Sequence, residues 1–161
     1  MSAVILIDVP TQTLTLKSVT GALSQQYTVS TAANGVGEKN GSFCTPRGKH
    51  IVRAKIGAGL SHNTVFVGRR PTGEVFEKGL RAEFPNRDWI LTRIIWLSGT
   101  EVGVNRLRDV DTMRRYVYLH GTPDDVEMGV PGSHGCIRMR NADIVQLFNE
   151  VTLGMLVTIN G

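Results

Sequence analysis

Apolar and polar residues alternate with a period of two along much of this chain, and this pattern constrains the fold more than any other feature. Residues 13–17 read Thr-Leu-Thr-Leu-Lys, and residues 50–56 repeat the alternation. Successive side chains of a β-strand point to opposite faces, so alternation indicates a strand with one buried face. The 18 glycines and 6 prolines are spread between such segments as turn-forming residues. The pattern predicts many short strands joined by turns.

Other segments complete a mainly-β prediction. Further strands are predicted at residues 3–7, 26–31, 65–67, 74–76, 116–120 and 155–159, with a turn at 70–73. The segment 89–97 is the most apolar of the chain and predicts a central strand buried on both faces. No repeat or linker divides the sequence. We therefore predict one mainly-β domain over residues 1–161.

Only one helix is convincing from the sequence. Asn141 is the candidate N-cap, and Asp143 suits the positive end of the helix dipole. A single apolar stripe follows, formed by Ile144, Leu147, Phe148 and Val151. The spacing predicts one clear helix after Cys136.

The charge balance and hydropathy exclude several function classes. There are 18 Lys and Arg against 14 Asp and Glu, a net charge of +4, but basic residues never form a run longer than two. We therefore expect no nucleic-acid partner. No segment approaches the roughly 20 apolar residues that span a bilayer, and residues 3–7 lack the basic start of a signal peptide. We expect no membrane span and a cytoplasmic location, or a periplasmic one if the native start lies upstream.

The two cysteines differ in their surroundings. Cys44 and Cys136 match neither a small disulfide framework nor a paired zinc spacing, so we expect two free thiols. Cys136 lies beside the basic residues Arg138 and Arg140, and positive neighbours lower the pKa of a thiol. A thiolate attacks carbonyl carbon, which makes Cys136 a candidate nucleophile. A small buried apolar side chain is the alternative for the same residue.

His120 ends the predicted strand 116–120 and precedes Cys136 by 16 positions. A loop could fold the two together, with the imidazole as general base. A purely structural histidine is the alternative. A zinc site built from His120, His134, Cys136 and Cys44 is a further possibility, which the spacing does not favour because only His134 and Cys136 are close in sequence. We therefore expect no metal and no cofactor.

The sequence around these residues resembles the L,D-transpeptidase (YkuD, or ErfK-YbiS-like) family. The similarity lies in His120-Gly121-Thr122, followed after a loop by Ser133-His134-Gly135-Cys136-Ile137-Arg138. Residues 45–48, Thr-Pro-Arg-Gly, are similar to the TPxG element of that family. The resemblance covers nearly the whole chain and implies the family's β-sandwich domain.

The resemblance also implies roles for individual residues. Cys136 would be the nucleophile and His120 the base, oriented by the backbone carbonyl of Gly121. Backbone N–H groups near Gly135 and Cys136 would form an oxyanion hole. The remaining implied residues are His134 and Ser133, which would shape the site, and Arg138 and Thr45, which would bind substrate, with Arg138 gripping a carboxylate.

The implied substrate is a peptidoglycan stem peptide or muropeptide. Cys136 would attack the carbonyl of the third residue, meso-diaminopimelate, and expel the terminal D-alanine. We expect water to resolve the thioester, giving an L,D-carboxypeptidase that trims tetrapeptide to tripeptide in wall recycling. A transpeptidase forming 3-3 crosslinks in the periplasm is the alternative, and an inactive peptidoglycan-binding module is an alternative of another class. Carbapenem-type inhibitors are expected to bind.

Overall fold

The computed structural model describes residues 3–21 and 24–161. Within them it contains ten strands and two helices. These are β1 (Ala3–Asp8), β2 (Thr13–Ser18), β3 (Ser24–Thr28), β4 (Gly48–Ile56), β5 (Thr64–Val67), β6 (Arg70–Val75), α1 (Lys78–Glu83), β7 (Ile90–Gly99), β8 (Tyr118–Gly121), β9 (Ile137–Met139), α2 (Asn141–Glu150) and β10 (Leu156–Asn160).

The described strands form one curled sheet, which confirms the mainly-β prediction. Its order is β3-β2-β1-β10-β4-β7-β5-β6, with β8 pairing both β7 and β9. Residues 94–96 of β7 pair with β4 and also with β8, so these two strands lie on opposite edges of β7. Most of β7 is buried. The prediction of a central, buried strand at 89–97 is therefore confirmed.

One apolar cluster packs α2 against the sheet and fixes the strands that carry the site. It includes Leu97 of β7, Leu119 of β8, Ile137 of β9 and Ile144 of α2, each with no exposed surface. Burying such a side chain contributes about 1.5–3 kcal/mol to stability. The cluster thus anchors β8, which precedes Cys136 in the chain, and β9 and α2, which follow it.

Three local predictions were wrong. Residues 70–73 do not form the turn: they begin β6, and the chain reverses at Gly68–Arg69 instead. Asn141 is the first residue of α2 and makes no capping bond; Arg140 occupies the cap position. The second helix, α1, was not predicted because it has six residues and buries none of them, which leaves no apolar stripe to detect.

No helix in the described ranges has the length and apolar character needed to cross a membrane.

Candidate active site

The parallel pairing of β8 with β9 brings Cys136 and His120 to one face of the sheet. Leu119 pairs with Ile137 and His120 with Arg138, so Cys136 lies one step back, beside Tyr118. The Tyr118 N–H donates to the Cys136 Sγ at 3.3 Å. Paired residues share a face, and so do residues two apart in a strand. Tyr118, His120 and Cys136 are therefore on the same face, although the cysteine follows the histidine by 16 positions.

The imidazole of His120 is held in one tautomer. Its Nδ1 lies 2.6 Å from the Gly121 carbonyl oxygen, which can only accept, so Nδ1 carries the proton. The Nε2 atom is buried and has no hydrogen-bond partner in the described part of the chain. Burial lowers the pKa of His120 below its ordinary 6.5, against the opposing effects of Asp88 and the Gly121 carbonyl. His120 is therefore neutral at pH 7, with a free lone pair on Nε2.

The thiol of Cys136 is protonated in the resting protein. Burial raises its pKa to about 12, although the Tyr118 N–H, Arg138 and Arg115 act in the opposite direction. Arg138 lowers the pKa of the thiol, as predicted, but the effect of desolvation is larger. Arg140 donates instead to the Asp124 carbonyl. A reaction at Cys136 thus requires a base that removes the proton as Sγ attacks.

The turn before Cys136 is fixed by side-chain hydrogen bonds. Ser133 Oγ donates to the Cys136 carbonyl at 2.5 Å and accepts from the Gly135 N–H at 3.2 Å. Gly135 has a φ of +127°, a conformation that side chains other than glycine rarely adopt. Because the Gly135 N–H is already bonded, the Cys136 N–H is the better of the two predicted oxyanion donors in this conformation.

Thr45 also stabilises this turn through hydrogen bonds. Its Oγ1 donates to the Gly135 carbonyl at 3.0 Å and accepts from the Ala32 N–H at 3.0 Å. The side chain has no exposed surface. The structure therefore shows Thr45 positioning the loop that carries Cys136, and the binding of substrate by Thr45 stays a prediction.

A polar network that sequence analysis missed packs against Gly121. Asn141 accepts from the Thr92 hydroxyl at 2.6 Å and donates to the Asn63 side chain at 2.9 Å. A Cβ atom on Gly121 would lie only 2.7 Å from the Leu91 carbonyl oxygen, so only glycine fits between this network and β7. The partners come from three distant parts of the sequence, and no local pattern marks them.

Two cavities of about 250 Å³ each flank the turn. Cys136 lies in the first, with Phe43, Arg115 and Tyr116. The second contains Asp88, Thr122 and Arg138. His134 lines both, so its ring lies between them.

Comparison with known proteins shows the family of this chain. The sequence profile of the L,D-transpeptidase catalytic domain (YkuD) matches residues 2–159. The chain belongs to the L,D-transpeptidase catalytic domain family. The Bacillus subtilis (strain 168) protein YkuD, whose curated description names an L,D-transpeptidase, is 40% identical over 47 residues, which is 29% of either chain.

Solved structures of L,D-transpeptidases share the fold. An L,D-transpeptidase from Mycobacterium smegmatis aligns with a TM-score of 0.58 at 17% identity, over 99% of this chain and 59% of that one. L,D-transpeptidase 3 from Mycobacterium tuberculosis, in complex with a faropenem-derived adduct, gives 0.60 at 16% identity, over 99% and 60%. The chain thus spans about three fifths of these proteins, and identity this low establishes the fold alone.

Within this L,D-transpeptidase domain, Arg138 and His134 share an acidic neighbour. Arg138 Nη2 lies 3.5 Å from Asp88 Oδ1, and His134 Nδ1 lies 3.8 Å from Asp88 Oδ2. The Arg138 guanidinium is therefore partly neutralised before any substrate arrives. His134 is 65% exposed, and its ring also meets Phe43 edge-on, with 6.1 Å between centroids.

Arg115 is a further site residue that sequence analysis missed. Its guanidinium donates to the carbonyl oxygens of Gly37, Glu38 and Cys44 and to the Ser42 hydroxyl. These acceptors all belong to the loop that leads to Thr45. Arg115 thus ties this loop to the rim of the Cys136 cavity.

Both cysteines are free thiols, as predicted. The four residues considered as zinc ligands form no metal-binding cluster: no group of three or more His, Cys, Asp or Glu side chains in residues 3–21 and 24–161 is suited to hold an ion.

Proposed function

We propose that this chain is a cysteine acyltransferase that acts on peptidoglycan stem peptides and releases D-alanine from a tetrapeptide. The observation that carries the proposal is the arrangement of His120, which has Nδ1 bonded to the Gly121 carbonyl and a free Nε2 on the same face as Cys136. A neutral imidazole on the same face as a protonated thiol provides the two groups that nucleophilic acyl transfer requires. Membership of the L,D-transpeptidase family supports the substrate class.

The first half of the reaction forms a thioester. His120 Nε2 takes the thiol proton while Sγ attacks the carbonyl carbon of the third residue, meso-diaminopimelate. The Cys136 N–H donates to the developing oxyanion, and removal of one such donor typically lowers kcat by about 10²–10³. As the tetrahedral intermediate collapses, the imidazolium gives its proton to the departing amine of D-alanine. Ser133 and Thr45 keep the turn in place throughout.

In the second half, water attacks the thioester while His120 again accepts a proton. The products are the tripeptide carboxylate and the restored thiol, so the net reaction is L,D-carboxypeptidation. Water is the most abundant nucleophile, and an amine displaces it only if a subsite raises its effective concentration. We propose the trimming of soluble muropeptides in the cytoplasm, during wall recycling, as the setting.

Transpeptidation is a second candidate, favoured by one observation. The second cavity has the same volume as the first and shares His134 with it, which leaves room for an acceptor strand beside the thioester. In that case an amine replaces water, and 3-3 crosslinked dimers form in the periplasm. An inactive peptidoglycan-binding module is less well supported, because a binding module does not require a buried Nε2 without a partner on the same face as a thiol.

Product analysis separates these candidates. Purified disaccharide tetrapeptide is incubated with the protein, and the muropeptides are resolved by mass spectrometry. Hydrolysis predicts tripeptide and free alanine without dimers, even at high substrate concentration. Dominant dimers, or exchange of D-alanine for an added D-amino acid faster than tripeptide release, would replace hydrolysis with transpeptidation. A tetrapeptide that remains unchanged would favour the inactive peptidoglycan-binding module.

A further inference from the structure

Arg69 occupies a hairpin turn whose geometry disfavours arginine. It is the second of the two residues, Gly68 and Arg69, that join β5 to β6, with φ values of +57° and +65°. Two-residue turns with both φ values positive favour glycine, asparagine and aspartate. A bulkier residue held in this conformation is strained, and such strain concentrates at functional sites. The surroundings of Arg69 must therefore compensate for it.

The compensating contacts are aromatic. The Arg69 Cζ lies 4.3 Å from the centroid of the Tyr116 ring and 5.2 Å from that of Trp96. Its Nη1 donates to the Tyr118 hydroxyl at 3.1 Å. Stacking and one hydrogen bond hold the guanidinium in a single orientation, and most of its five N–H donors remain uncommitted.

These contacts connect Arg69 to the reacting thiol. The Tyr116 carbonyl accepts from the Cys136 thiol at 3.4 Å, and the Tyr118 N–H donates to the same sulfur at 3.3 Å. Tyr116, which is half-exposed, is also left-handed, with a φ of +56°. Tyr118 thus contacts both Arg69 and the Cys136 Sγ. An extended stem peptide advances by about 3.3 Å per residue, so we expect one of several residues to reach both groups.

The Arg69 guanidinium has no carboxylate partner among the described residues. The ion pairs of the described residues include Arg47 with Glu38, Arg81 with Asp125, Arg87 with Glu74 and Arg138 with Asp88, but none to Arg69. A stacked, unpaired guanidinium matches a carboxylate, to which it can donate two parallel hydrogen bonds.

We propose that Arg69 binds a carboxylate of the stem peptide and is a specificity-determining residue of this site. The inference rests on the proposed function, since it assigns the carboxylate to that substrate. Arg138, which already has Asp88 as its partner, is the weaker candidate for this contact. The charged groups with the largest effects on the pKa of the Cys136 thiol are Asp88, Arg138 and Arg115, so we expect Arg69 to affect binding rather than the chemistry at sulfur.

The test compares Arg69→Asn with the matched control Arg70→Asn. Arg70 is the exposed neighbour in β6, and asparagine suits the left-handed turn at position 69, so both variants should fold. Arg69→Asn should raise KM for tetrapeptide roughly ten- to hundredfold, the loss expected for a charge-assisted hydrogen bond, with kcat and its pH profile unchanged. Arg69→Lys should restore part of the affinity, and Arg70→Asn should leave KM unchanged.

Tetrapeptides with each carboxylate amidated in turn identify the group that Arg69 binds. One amide should weaken binding to the wild-type protein and have no further effect in Arg69→Asn, because the two changes remove the same contact. Dissociation constants measured on the Cys136→Ala background report binding without turnover. An unchanged KM in Arg69→Asn, or equal losses with all amidated peptides, overturns the inference while the proposed function stands. A wild-type protein that neither binds nor cleaves tetrapeptide overturns both.

Discussion

Asp88 and Arg138 act in opposite directions on the two groups that would carry the chemistry. Asp88 raises the pKa of both His120 and Cys136, and Arg138 lowers both. The base must be neutral to accept the thiol proton, so kcat/KM should fall as the pH drops through the lowered pKa of His120, at a midpoint below 6.5.

Asp88→Asn should shift this acid limb to lower pH, because the pKa of His120 falls when the carboxylate is lost. Arg138→Gln should shift it to higher pH. Both side chains are partly exposed, so the shifts should diminish at high salt. The measurement is kcat/KM for tetrapeptide against pH at two ionic strengths. An acid limb that stays in place in both variants would show that His120 is not the group that titrates.

At the scale of single elements, the loop that carries Cys136 depends on Thr45. Thr45→Val keeps the shape of the side chain but leaves the Gly135 carbonyl and the Ala32 N–H without their partner. Each buried unpaired group costs about 1–3 kcal/mol. For the two groups together, the free energy of unfolding, measured with urea, should fall by about 2–6 kcal/mol. The kcat should also fall because the turn is less well fixed.

Thr45→Ser is the matched control, since it retains the hydroxyl and loses only a methyl group. It should preserve kcat and most of the stability. Equal losses of kcat in the serine and valine variants would indicate that packing, and not the pair of hydrogen bonds, positions the turn.

The elements differ in how well the sequence predicts them. Strands such as β2, β4 and β7 carry their pattern in their own residues, and the apolar stripe of α2 marks that helix. β9 has three residues and exists because it pairs with β8, which no local pattern shows. The hairpin turn at Gly68–Arg69 was misplaced because Arg70-Pro71-Thr72-Gly73 has the composition of a turn, whereas Arg69 does not.

The candidate site, too, is only partly predictable from the sequence. The motif residues Cys136, His120 and Gly121 could be named from the sequence because they follow a family pattern. The roles of Thr45, Arg115 and Asn141 depend on contacts between distant segments, and the pKa of Cys136 depends on burial. None of these follows from residue order alone.

At the scale of the whole molecule, His50 couples stability to pH. The ring is fully buried, with Nε2 2.9 Å from the Thr112 hydroxyl and Nδ1 3.0 Å from the Gly48 carbonyl. Burial lowers its pKa to about 4, against 6.5 in the unfolded chain. Between these values the unfolded chain binds more protons, so stability is complete above pH 6.5 and declines as the pH falls towards 4. The loss is about 3 kcal/mol.

Urea unfolding at pH 7, 5.5 and 4 measures this loss. His50→Gln should reduce the difference between pH 7 and pH 4, whereas a change at the exposed His62 should not. His120, whose pKa burial also lowers, contributes in the same direction and should leave a residual slope. Equal stability of the wild-type protein at pH 7 and pH 4 would contradict the assignment of a neutral, buried His50.

The central claim is that Cys136 forms a thioester with the stem peptide, and intact-protein mass spectrometry after rapid acid quenching tests it most directly. The account predicts a mass increase equal to the tripeptide acyl group, located on Cys136 by peptide mapping. The adduct should persist in Cys44→Ser and be absent in Cys136→Ala, which should remain folded. A carbapenem should give an adduct at the same residue. Turnover of tetrapeptide by Cys136→Ala, or an adduct on Cys44, would contradict the account.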